Sequence, residues 1–115
     1  LVDLPEAVTA VADTQHAIYV ATASEIYRVQ GPVLQLVIRL PENTQPVVSL
    51  AASADDKLLY FASPRRVYAL HGLAAISIVN DAGGMLRMRN GNLYLWDQAR
   101  SLLVSLTGVE TALQN

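Results

Sequence analysis

A strand–turn–strand pattern carrying an aromatic recurs along this chain, and it restricts the fold more than any other feature. It reads Ala17-Ile18-Tyr19-Val20-Ala21, then Glu25-Ile26-Tyr27-Arg28-Val29. It returns as Leu58-Leu59-Tyr60-Phe61-Ala62, then Arg66-Val67-Tyr68-Ala69-Leu70. These two copies superimpose without a gap, because Tyr19 and Tyr60, like Tyr27 and Tyr68, stand 41 residues apart. A looser third copy is Met85-Leu86-Arg87-Met88, then Asn92-Leu93-Tyr94-Leu95-Trp96.

The turns divide the chain into units of about 6–40, 46–79 and 84–106 within a single β domain. Pro46 to Ala52 reads as a first strand before the second copy. The same place before the first copy holds Val8-Thr9-Ala10-Val11-Ala12, which is β-branched and is read as a strand over a helix, despite the helix-start signal Asp3-Leu4-Pro5-Glu6. Gln30-Gly31-Pro32 and His71-Gly72 are turns, and Val33 to Leu40 and Ala74 to Val79 are fourth strands. Pro41 to Pro46 reads as an exposed linker whose prolines stop the flanking strands. Asn90-Gly91 between two apolar strands is a strong hairpin signal. Only 26 residues separate Tyr60 from Leu86. So either a strand is missing or Ala74–Val79 serves two units. The tail from Gly108 to Asn115 reads as frayed or a short helix.

Four strands in a repeat of about 40 residues is the build of a β-propeller blade, so the expectation is an all-β fold of about three antiparallel propeller-like blades, a partial propeller. Leu93-Tyr94-Leu95-Trp96-Asp97, followed by the polar turn and Ser101 to Leu106, resembles the outer half of a WD-type blade. The first two units look more like bacterial propellers with a pattern such as Ile18-Tyr19-Val20-Ala21. The Gly-His pair of WD blades is absent, and Trp-Asp occurs once. The resemblance therefore implies an architecture and no functional residue.

Composition sets outer limits. Apolar residues make up 52% and charged residues 16% of the 115 residues, so the chain buries a core and is no disordered tail. The formal charge of −2, with no run of Lys or Arg, gives no footprint for nucleic acid. No apolar window approaches the ~20 residues of a membrane span. With no cysteine, disulfides and thiolate ligands are excluded. A chain starting at Leu1 reads as an excised domain or a processed product.

Candidate chemistry is sparse. His16 and His71 fall in separate turns, where solvation is the ordinary state, so no metal or cofactor is expected. Asp55-Asp56 precedes Lys57 and reads as a solvated turn, since Asp is a preferred turn residue. No serine sits in a nucleophile elbow, and Gly83-Gly84 lacks the rest of a phosphate loop. Arg87 and Arg89 alternate with Leu86 and Met88, which puts both arginines on one strand face. Together with Arg65, Arg66 and Trp96 they form the candidate interaction surface, because Arg and aromatics are enriched at interfaces. Tyr27, Tyr68 and Trp96 read first as core or inter-unit packing.

The expected function is non-enzymatic: a protein-interaction or scaffolding module of a larger bacterial assembly or multidomain protein. Its expected partner is another protein or a second copy in a homodimer. The alternatives are a small-ligand or carbohydrate-binding domain near Tyr27, Tyr68 or Trp96, and a fragment of a propeller enzyme with its active site elsewhere.

Overall fold

The computed structural model describes residues 4, 6–53, 55–97 and 100–106; the tail from Gly108 onward lies outside them. Among these residues, eleven strands form three consecutive antiparallel sheets, each a simple meander. The first sheet contains β1 (Ala10–Asp13), β2 (Ile18–Ala21), β3 (Glu25–Gln30) and β4 (Val33–Arg39). The second contains β5 (Ser49–Ala52), β6 (Leu59–Ala62), β7 (Val67–His71) and β8 (Ala74–Val79). The third contains β9 (Met85–Arg89), β10 (Asn92–Asp97) and β11 (Leu102–Ser105). The only helical element among the described residues is a 3₁₀ turn at Glu42–Thr44.

Hydroxyl side chains fix the turns locally. Thr22 Oγ1 accepts the backbone N–H groups of Ser24 and Glu25, and Ser63 Oγ accepts that of Arg66. The β1–β2 and β5–β6 turns start in the same way, with Thr14 Oγ1 accepting from Ala17 N–H and Ser53 Oγ from Leu58 N–H. Such side chains close a turn by mimicking its backbone, which explains why the strands break where they do. Between β9 and β10 the two-residue turn has φ of 53° at Asn90 and 80° at Gly91. Asn and Gly tolerate that left-handed pair, whose twist matches a hairpin.

The second sheet copies the register of the first at an offset of 41 residues. Ala21 faces Ile26 and Ala62 faces Val67; Val20 faces Tyr27 and Phe61 faces Tyr68. A bulge follows Ile26 in one and Val67 in the other, so Ile38 and Val79, their partners, hold equivalent places in the two ladders.

Stacking follows chain order, with β5 packed on both β1 and β9. We call the face of a sheet that meets the following sheet its leading face and the opposite one its trailing face. Tyr19, Ala21 and Ile26 of the first leading face pack with Leu50, Leu59, Phe61, Tyr68 and Leu70 of the second trailing face. Ala51, Tyr60, Ala62, Val67 and Ala69 of the second leading face pack with Leu86, Leu93 and Leu95 of the third. The middle sheet is thus covered on both sides, and β5, β6 and most of β7 are buried continuously rather than in alternation. Phe61 and Tyr68 stack at 4.9 Å between ring centroids.

One sequence expectation needs correction, and two connections prove closely packed. Of the two alternatives for the short third unit, the missing strand holds among the described residues: β8 pairs with β7 alone, and β9 packs on β5 as β5 does on β1, so β9 opens the third sheet. The third copy therefore shifts by one strand: β10 takes the place of β2 and β6, and Tyr94 corresponds to Tyr19 and Tyr60 rather than to Tyr27 and Tyr68. The connection 41–46 is exposed at Pro41, Glu42, Asn43 and Pro46, as expected, but it is anchored at Thr44 and at both ends. Leu40, Thr44 and Val47 are buried, Leu40 N–H donates to Ser24 O and Val47 N–H to Ala23 O, which straps the segment across the β2–β3 turn. Gly83 lies where the chain passes the β6–β7 turn so closely that a Cβ would come within 2.0 Å of Ser63 O. Packing demands glycine there.

Tyr60 and Tyr94 occupy the same leading position, but Tyr60 is fully buried against the third sheet while Tyr94 lines an open face. Tyr60→Ala is expected to lower unfolding free energy in denaturant melts by about 3 kcal/mol, and Tyr94→Ala by less than about 1 kcal/mol.

Candidate interaction surface

Pairing of β9 with β10 sets Arg87 opposite Tyr94, Arg89 opposite Asn92 and Met85 opposite Trp96, while β11 sets Leu103 beside Trp96. Partners across a ladder share a face, so these side chains form the leading face of the third sheet. Leu86, Met88, Leu93 and Leu95 point the other way, into the core shared with the second sheet. Three of the five residues proposed from sequence, Arg87, Arg89 and Trp96, are therefore brought together. They line an open cleft of about 710 Å³ with Met85, Tyr94 and Leu103. Trp96 is 39% exposed and Leu103 62%, so Trp96 is not the core residue its composition first implies. Arg87 and Arg89 make no ion pair among the described residues.

Arg65 and Arg66 are elsewhere. They sit in the exposed β6–β7 turn, against the close passage of Gly83, and neither lines the cleft. The other candidate aromatics, Tyr27 and Tyr68, are buried. Tyr68 is engaged in the core by Phe61, and Tyr27 donates its hydroxyl to Glu25 at 2.7 Å.

At the opposite end of the stack, the trailing face of the first sheet is also uncovered. It presents Val11, Ile18 and Leu36, at 59%, 46% and 46% exposure. Asp13, paired across the ladder with Ile18, lies on the same face. In register these positions match the trailing face of the second sheet, which the first sheet covers.

The polar groups between the sheets are pins. Asp56, with φ of 60°, accepts hydrogen bonds at Oδ1 from Thr14 Oγ1 at 2.8 Å and from the Tyr19 hydroxyl at 2.9 Å. The sequence reading placed it in a solvated turn. Asp55 is indeed exposed, caps Ser53 and Lys57 locally, and is held below the usual carboxylate range by the Ser53 hydrogen bond. Asp56 instead joins the second sheet to the first. Burial and the Asp56 hydrogen bond raise the Tyr19 pKa. Within the first sheet, Glu25 is buried and takes both Arg39 Nε, at 3.2 Å, and Nη2, at 3.1 Å, across the bulged β3–β4 edge. Its hydrogen bond with Tyr27 raises the pKa of that phenol, with burial adding to the shift. Glu6 accepts from the Ser24 and Thr22 hydroxyls, which lowers its pKa, and so ties the entering chain to the β2–β3 turn.

His16 is exposed with Nε2 4.0 Å from Asp56, and His71 ends β7. Among the described residues no group of three His, Asp or Glu side chains is placed to hold a metal ion, and no helix is long and apolar enough to cross a membrane. No protein-family description matches the chain, and neither does any curated protein sequence.

A raised tyrosine pKa means that the folded chain holds that proton more tightly than the unfolded chain does. The resulting stabilisation is present below the unfolded tyrosine pKa of about 10 and is lost as pH rises through that value toward the folded one. Thermal melts are expected to fall in midpoint above about pH 10, with a shallower fall in Tyr19→Phe, which removes the buried phenol. An alkaline limb identical in wild type and variant would dissociate Tyr19 from that pH dependence.

Proposed function

We propose that this chain is a non-enzymatic protein-interaction or scaffolding module, built of propeller-like blades and forming one part of a larger assembly. The observation that carries this reading is the leading face of the third sheet, where Met85, Tyr94, Trp96 and Leu103 form an apolar floor beside two arginines without ion-pair partners among the described residues. Exposed aromatics and arginine on a rigid sheet are what a protein interface uses for anchoring. The blade reading is supported by three further features: the meander of each sheet, the shared register and bulge of the first two, and the packing of β5 between β1 and β9. A cleft of about 550 Å³ is lined from all three sheets by Asp13, Thr14, Ala52, Met88 and Asn90, as blades arranged around an axis would produce.

One observation favours a second reading, a carbohydrate-binding domain: Trp96 and Tyr94 offer an open aromatic platform with hydrogen-bonding arginines beside it. Tyr27 and Tyr68, being buried, no longer offer a sugar site.

Site-specific photo-crosslinking in the source cells separates the two. A benzophenone side chain at Met85 is expected to give discrete protein adducts, and one at Leu73, 82% exposed on the β7–β8 turn, is expected to give none. The interaction reading fails if Met85 captures no protein beyond the Leu73 control. In that case, a shift of the single Trp96 emission on adding oligosaccharides would establish the carbohydrate reading instead.

A further inference from the structure

We propose that the two open ends of the stack are complementary, and that the leading face of the third sheet docks on the trailing face of the first sheet of a second copy. The inference rests on the interaction reading above and names the partner. Within the chain, every sheet junction follows one rule: a leading face meets a trailing face, with first strand packed on first strand. At the second junction Ala51, which pairs across the ladder with Tyr60, packs in one cluster with Leu86 and Met88. The residue equivalent to Ala51 in the third sheet is Arg87, which pairs with Tyr94.

The residues equivalent to Leu86 and Met88 in the first sheet flank Ala12, the partner of Tyr19, and they are Val11 and Asp13. Continuing the rule onto a second copy therefore brings Arg87, with Arg89 one position further along the same face, against Val11 and Asp13. Asp13 makes no ion pair among the described residues, and neither do the arginines. The charges are opposite where the register places them together.

The fit is also one of shape and polarity. Small side chains stand on the leading side of the earlier first strands, Ala10 and Ala12 in β1, Ser49 and Ala51 in β5; the last leading face has Met85, Arg87 and Arg89 there. Small residues let a following first strand approach closely, whereas long ones hold it further off and supply their own contacts. Correspondingly, β1 presents an acid at the trailing position where β5 has Ala52 and β9 has Met88. Both end faces thus depart from the internal junctions, and their departures compensate each other. Because each copy has one end of each kind, two copies joined head to tail at both ends close a two-fold ring of six sheets with no free face.

Sedimentation equilibrium on the full chain from roughly 1 to 100 µM tests this, with circular dichroism to verify the fold of each variant. The wild type is expected to be a dimer. The double variant Arg87→Glu/Arg89→Glu and the single variant Asp13→Arg are each expected to dissociate at least about tenfold more readily. Mixed in equal amounts, the two variants are expected to regain the dimer, since both junctions of the mixed pair then join opposite charges. If the arginine variant fails to fold, Asp13→Arg on the first sheet and Leu103→Glu on the third decide together, because a contact between like end faces leaves one of these two residues outside the interface. A wild type that stays monomeric, association indifferent to these reversals, or an open ladder of oligomers overturns the proposal. A monomer whose Met85 crosslinks still capture a different protein would overturn self-docking and leave the interaction reading standing.

Discussion

The middle sheet has two apolar faces, and most of the architecture follows from the need to cover both. In β6 every residue from Leu59 to Ala62 is buried, with Leu59 and Phe61 turned toward the first sheet and Tyr60 and Ala62 toward the third. Neither face is stable in water, because apolar burial is worth roughly 25 cal/mol per Å² and an isolated sheet forfeits it. The first and third sheets each supply one inner face to that sandwich. Their outer faces inherit the same problem at the ends of the stack, with Val11, Ile18 and Leu36 at one and Met85, Trp96 and Leu103 at the other.

Polar contacts decide how the sheets are seated more than whether they stack. Asp56 reaches from the β5–β6 turn to Thr14 and Tyr19, so one carboxylate fixes the first sheet against the second. Ser49 plays the corresponding part at the next junction, where its hydroxyl donates to Gly84 O and accepts from Leu86 N–H. Both contacts are made at or beside a first strand, where the sheets come closest. That placement leaves the fourth strands β4 and β8 on the periphery, away from the junctions between first strands, and makes β1, β5 and β9 the frame on which the end faces are presented.

Much of this was legible in the sequence, and what was not has a physical reason. The strand positions, the glycine turns and the 41-residue offset are local or periodic features, and they survive in the structure with few changes. Misplacement of the third unit arose because Tyr94 and Trp96 look like the aromatic of a third strand, while the true phase is set by what Leu86 and Met88 pack against. Asp56 was read as a solvated turn residue because its partners lie 42 and 37 positions away, at Thr14 and Tyr19. Alternation alone placed Arg87 and Arg89 on one face correctly. It could not separate them from Arg65 and Arg66, since grouping surface residues requires the relative placement of sheets.

Native-state hydrogen exchange tests the central claim most directly, that the second sheet is the doubly covered centre of the fold. If it is, the slowest amides belong to β6 and β7, around Tyr60, Phe61 and Tyr68, and report opening close to global unfolding, while the outer strands β4, β8 and β11 exchange by smaller openings. Protection in the first or third sheet equal to or greater than that in β6 and β7 would contradict the account, because it would mean that the stability of the chain is centred on a sheet with one face left open.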